Sequence, residues 1–136
     1  MRKSLPIFIS MLVISSCVGV TLANPASSTF MMAQKPNCSN PQTQADINQC
    51  AGLSYQNADK KLNQVYRQLL PKLPKARQNK LISAQQAWIK FRDASCEFER
   101  SAFEGGSIAP SIYAGCLEKL TKQRTQQLQE YLKSDL

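Results

Sequence analysis

The residues of this chain that could do chemistry are five cysteines and a small group of carboxylates. Histidine is absent, so no side chain of ordinary pKa near neutrality is available for proton transfer. Cys38, Cys50, Cys96 and Cys116 are separated by 11, 45 and 19 residues, without a CxxC pair. Cysteine-based metal sites draw on closely spaced ligands, often with histidine, so this spacing points away from metal. Four cysteines in a short exported domain read instead as two disulfides, and oxidised cysteines supply no thiolate nucleophile. Asp93, Glu97 and Glu99 could in principle form a glycosidase carboxylate pair. Clustered on one helix, they read as a solvated face. No Gly-rich phosphate loop follows a strand, because no strand is expected. The chain reads as a binding module without cofactor or metal, not as an enzyme.

The fifth cysteine belongs to a separate segment. Arg2 and Lys3 precede an apolar run from Leu5 to Leu22, and Thr21-Leu22-Ala23 offers small residues for cleavage. Residues 1–23 therefore have the build of a secretory signal peptide. The run is about 18 residues, the lower edge for a spanning helix, and Ser10, Ser15, Ser16 and Gly19 weaken that alternative. Ile14-Ser15-Ser16-Cys17 also has the form of a lipoprotein signal, which would leave a lipidated Cys17 and a tether behind it. Both readings imply export to the periplasm, the cell envelope or the medium, with membrane attachment only through such a lipid. Residues 24–37, rich in Pro, Ser and Ala, read as a flexible lead-in to a domain over 38–136.

The formal charge is +8, and without Arg2 and Lys3 it is about +6. A basic exported domain attracts anionic envelope polymers, lipid or acidic proteins. Its basic residues are spread at helical spacing, as on solvated faces, and no nucleic-acid motif accompanies them.

The elements that must position these residues are helical. From Leu81 to Cys96 apolar residues recur every three or four positions: Leu81, Ala84, Trp88, Phe91, then Ser95, with Ile82, Gln85, Ile89, Arg92 and Cys96 alongside. That width predicts a middle helix packed from two sides. Upstream, Asn40-Pro41 and Thr43 with Asp46 are competing helix starts, and Pro71 and Pro74 bracket a turn. Gly105-Gly106-Ser107 breaks the chain again. The expected fold is all-α: three antiparallel helices over about 43–70, 74–103 and 111–133, with short connections. An up-down-up order carries all four domain cysteines to one end. Three pairings are open there; closure of local loops favours Cys38–Cys50 and Cys96–Cys116. Counting away from the turns sets Asp59 opposite Gln85 and Trp88 opposite Arg124. Asp59, Asn63, Gln85, Trp88 and Arg124 are thus expected in one polar layer that fixes helix register.

With these residues in view, the chain resembles the LprI-type family, named for a lipoprotein inhibitor of lysozyme. The resemblance rests on the cysteine frame, on Ala58-Asp59-Lys60-Lys61-Leu62-Asn63-Gln64-Val65-Tyr66, and on Ala84-Gln85-Gln86-Ala87-Trp88-Ile89-Lys90-Phe91-Arg92-Asp93-Ala94-Ser95-Cys96. It spans about Asn37 to Leu132. The family's recurring residues correspond to Asp59, Leu62, Asn63, Tyr66, Gln85, Trp88, Arg92, Asp93 and Arg124, most of which look like fold determinants. The resemblance implies an exported inhibitor whose partner is a lysozyme or related muramidase. Animal lysozymes are mostly basic, and a basic domain meets them with long-range repulsion. An acidic edge formed by Asp93, Glu97, Glu99 and Glu104, with the 103–111 loop, is therefore the expected contact. The alternative is an envelope adaptor that holds anionic polymers or lipid on its basic faces.

Overall fold

The computed structural model describes residues 36–134; the expectations for residues 1–35, including the signal segment and Cys17, lie outside them. Three helices follow in order: α1 (Gln44–Leu69), α2 (Lys75–Ser101) and α3 (Ala109–Lys133), with a 3-10 turn at Leu70–Lys72 between the first two. Of the two competing starts, Thr43 opens α1. Its hydroxyl accepts from the Asp46 amide at 3.1 Å, and the Asp46 carboxylate accepts from the Thr43 amide at 3.0 Å. This reciprocal capping box satisfies amides that the helix cannot. Pro74 opens α2, its carbonyl taking the Arg77 and Gln78 amides at 2.8 and 3.0 Å. The second helix ends two residues earlier than its pattern suggested, and the third begins two earlier.

The helices do not share space equally. Along α1 and α3 the numbering rises together: Asn48 reaches the Ser107 carbonyl and Ser54 reaches Glu118. These two helices are parallel and lie closest, because Ala58 on one and Ala114, Thr121 and Thr125 on the other are buried short side chains that let backbones approach. Leu62, Val65, Leu69 and Leu128 then close the core at the far end, with Leu73 from the turn and Leu81, Trp88 and Tyr66 against them. The second helix runs antiparallel to both. It packs on α3, while no Cα of α1 comes within 8 Å of one in α2.

The expected two-sided packing of α2 is therefore corrected. Only Arg92 and Cys96 of its 27 residues are buried. Trp88 faces inward, but Phe91 is 60 % exposed and Ile89 is 40 % exposed. The reason is competition: α1 and α3 occupy each other's faces, and α2 keeps a single inward strip.

Both disulfides form as local closure suggested. Cys38–Cys50 has Cα atoms 5.5 Å apart and Cys96–Cys116 has them 5.4 Å apart, within the ordinary range. The first folds residues 38–43 back along the start of α1; the second joins the end of α2 to the start of α3. Cys96 and Cys116 are buried and form a second apolar cluster with Leu117, Tyr55, Tyr113 and Leu120.

Candidate functional site

Because α1 and α2 stand apart, side chains must fill the space between them. Arg92 does so. Its side chain is 9 % exposed, with the guanidinium carbon 5.1 Å from the Trp88 ring centre and 5.5 Å from that of Tyr55. A guanidinium between two aromatic faces is attracted by both rings and is less strongly hydrated than an ammonium. Nε and Nη2 donate to Asp93 Oδ1 at 2.8 and 2.7 Å, and Nη1 lies 3.8 Å from Asp59 Oδ1. The other Asp59 oxygen accepts from Asn63 at 2.8 Å. Burial raises the Tyr55 phenol above its ordinary value, against the pull of Arg92.

Beside this sandwich runs a groove of about 290 Å3 lined by Leu62, Tyr66, Gln85, Trp88 and Ile89 among others. The single polar layer expected from the sequence is thus two clusters. Asp59 and Asn63 belong with Arg92 between α1 and α2, whereas Arg124 donates from Nε to Gln85 at 3.0 Å and from Nη1 to Gln127 at 3.1 Å. Trp88 lies on Arg92, not on Arg124. Burial lowers the Arg124 guanidinium from its ordinary value. No carboxylate among the described residues pairs with it.

Arg124 instead edges a second groove, of about 300 Å3, floored by Leu69, Leu73 and Leu81 and rimmed by Arg77 and Lys80. This is the basic end of the domain. Between 67 and 81 and between 124 and 134 stand Arg67, Lys72, Lys75, Arg77, Lys80, Arg124 and Lys133 against Glu130 alone.

The opposite, disulfide end carries the carboxylates, but not as one free edge. Asp93 turns onto Arg92. Glu97 is bound by Arg100, Nε to Oε2 at 2.9 Å, which holds its carboxyl below the ordinary value. Glu99 and Glu104 are exposed and make no ion pair among the described residues. Between them and α3 the chain forms a tip over residues 102–108. Amides of Phe103, Glu104 and Gly106 donate to the carbonyls of Arg100, Ser101 and Phe103 at 2.9, 3.3 and 3.0 Å. Gly105 has φ of 75°, which favours glycine. A Cβ on Gly106 would come within 3.1 Å of the Phe103 carbonyl oxygen. Asn48 clamps the tip from α1, donating to Ser107 at 2.9 Å. Phe103 and Ile108 stand 42 and 41 % exposed on it. Sequence reasoning named the loop but missed these two apolar side chains; the signal available was large apolar residues flanking a Gly-Gly turn.

What fold and surface define is an all-α, disulfide-stapled domain with an internally hydrogen-bonded tip between its second and third helices. The lysozyme inhibitor LprI family model matches residues 36–128, and the chain belongs to that family. It is 34 % identical over 113 residues to an uncharacterized protein of Rhizobium meliloti (strain 1021), covering 74 % of this chain and 81 % of the relative. No solved structure matches. The two disulfides fit an oxidising location outside the cytoplasm. No described helix is long and apolar enough to cross a membrane.

Proposed function

We propose that this protein is an exported inhibitor of a lysozyme or related muramidase, and that residues 99–108 are its contact. One observation carries the reading. In a chain belonging to a lysozyme-inhibitor family, the exposed and internally hydrogen-bonded segment is also where unpaired carboxylates and large apolar side chains coincide. Apolar anchors in a rigid loop bind without a large ordering cost. Glu99 and Glu104 supply attraction toward a basic target that the chain as a whole repels. The contact is narrower than the full run of Asp93, Glu97, Glu99 and Glu104, since arginines neutralise the first two.

The test is inhibition of several lysozyme types by the purified, oxidised protein. Saturable, stoichiometric inhibition is expected, weakened at least tenfold by E99K/E104K and by F103S. Inhibition unchanged by both variants would remove the tip from the contact. No inhibition of any muramidase would leave the adaptor reading, in which the basic end holds anionic envelope polymers with affinity falling steeply as salt rises.

A further inference from the structure

The outer face of α2 is unpartnered, and its composition is unusual for a surface. Ala84, Ala87, Phe91, Ala94, Phe98 and Ser101 recur at alternating spacings of three and four and are all exposed. Phe98 is 79 % and Phe91 60 % exposed, the two most exposed large apolar residues described. A seven-residue repeat of apolar positions is the seam of a two-helix packing. Here Ala87, Phe91, Ala94, Phe98 and Ser101 point away from α1 and α3, whose contacts with α2 involve Leu81, Trp88, Arg92 and Cys96; at the end of the seam Ala84 edges the groove beside Arg124.

We propose that the protein forms a two-fold homodimer by packing this seam antiparallel against that of a second copy. The seam is complementary to itself. In an antiparallel register Phe91 faces Ala94 of the second copy, Phe98 faces its Ala87, and Ala84 faces its Ser101. Every layer then pairs a large residue with a small one, or two small ones at the ends. A parallel pairing would stack phenylalanine on phenylalanine and leave gaps at the alanines between. Charge agrees with the same register. Lys90 and Glu97 flank the seam on one side, and the antiparallel arrangement brings Lys90 beside Glu97 of the second copy twice over, so that the carboxylate, already held by Arg100 of its own chain, takes a second cation. A two-fold axis also doubles each anchor, so four phenylalanine rings leave water. The dimer does not depend on the inhibitor reading. If that reading holds as well, the two tips point to opposite ends and one dimer engages two targets.

Sedimentation equilibrium of the purified, oxidised protein from low to high micromolar concentration tests this without any target. A concentration-dependent monomer–dimer equilibrium is expected. F91Q and F98Q each remove two rings, and each should raise the dissociation constant about a hundredfold. Both residues are exposed in the protomer, so its circular dichroism, and its melting at concentrations where the parent is also monomeric, should be unaffected. K90E and E97K should each weaken association, and K90E/E97K should restore it, the cross-pair coupling that only the antiparallel register supplies. A protein that stays monomeric throughout overturns the proposal, whether its own N-terminal segment or a different protein covers the seam. A dimer indifferent to F91Q and F98Q overturns it equally, and failure of the charge swap to rescue overturns the register.

Discussion

Replacing Arg92 by alanine should reduce stability by about 3.5 kcal/mol, and the figure can be assembled from its contacts. Two aromatic faces at 5.1 and 5.5 Å contribute about 1 kcal/mol each for a largely desolvated guanidinium. The paired bonds to Asp93 are discounted to about 0.5 kcal/mol because that carboxylate is half exposed. Loss of the buried aliphatic stem adds about 1 kcal/mol. Neither Asp59 nor Asp93 is stranded by the change, since their side chains are 39 and 47 % exposed and can take water instead. R92M keeps the stem and sets a sulfur against the rings, which recovers about 1 kcal/mol of the lost ring attraction, so it should lose about 1.5 kcal/mol. R92K, a cation that cannot lie flat between two rings, should fall between. Urea denaturation with both disulfides intact measures the order, and for a domain of this size R92A should melt roughly 15 °C lower. Trp88 is the only tryptophan, so its emission should shift to the red in R92A while helicity is retained. R92A within 0.5 kcal/mol of the parent would refute the idea that this sandwich holds α2 to α1. R92M as unstable as R92A would instead move the stabilisation from packing to charge.

Other perturbations follow from particular contacts. Thr121 is fully buried and its hydroxyl has no hydrogen-bond partner among the described residues, so T121V should be neutral or stabilising by up to about 1 kcal/mol in the same denaturation assay. Removing Cys96–Cys116 by double alanine substitution should cost about 3 kcal/mol or more, the chain-entropy value for its loop plus the emptied core space. C38A/C50A should cost less than half of that, because residues 38–43 are exposed and regain freedom in the native state too. Acid unfolding should be confined to low pH. Asp46, Glu97 and Glu118 are held below their ordinary values of 3.8, 4.5 and 4.5 by Thr43, by Arg100, and by Lys122 with Ser54. Each therefore stabilises the fold fully above its unfolded value and loses that contribution as pH falls through the folded one. With no histidine in the chain, a melting temperature that declined steeply between pH 8 and 5 would contradict this.

The helices and the disulfide pairing were legible in the sequence for local reasons. Pro71, Pro74, Gly105 and Gly106 mark the turns and apolar spacing marks the helices; Cys96–Cys116 closes a loop that a hairpin of helices already brings together, and Cys38–Cys50 one short enough to fold back along α1. What escaped was set by distances between helices that are not neighbours in the chain. Small residues at Ala58, Thr121 and Thr125 are unremarkable singly, yet together they draw α1 onto α3 and push α2 aside. Once α2 is aside, Phe91 faces water and Arg92 becomes the link to α1. Residue counting misplaced Arg124 for a related reason. It assumed evenly spaced helices, and a shift of under one turn exchanges Trp88 for Gln85 as the partner.

The same asymmetry explains how stability and recognition can be separated in so small a domain. Burial is concentrated in α1 and α3, whose close contact needs no contribution from the outer surface of α2. That helix is held by three local devices: the Cys96–Cys116 bridge, the Arg92 sandwich and the Gln85–Arg124 bond. None of them uses Phe91, Phe98, Glu99 or the tip. These residues can therefore change with little effect on the fold, as a surface selected for a partner requires. Among the described residues charge divides along the same axis, with most carboxylates near the tip and an excess of cations at the far end. A chain that is basic in total can thus approach a basic protein tip first, its own excess charge held at the greatest distance that three helices of this length allow.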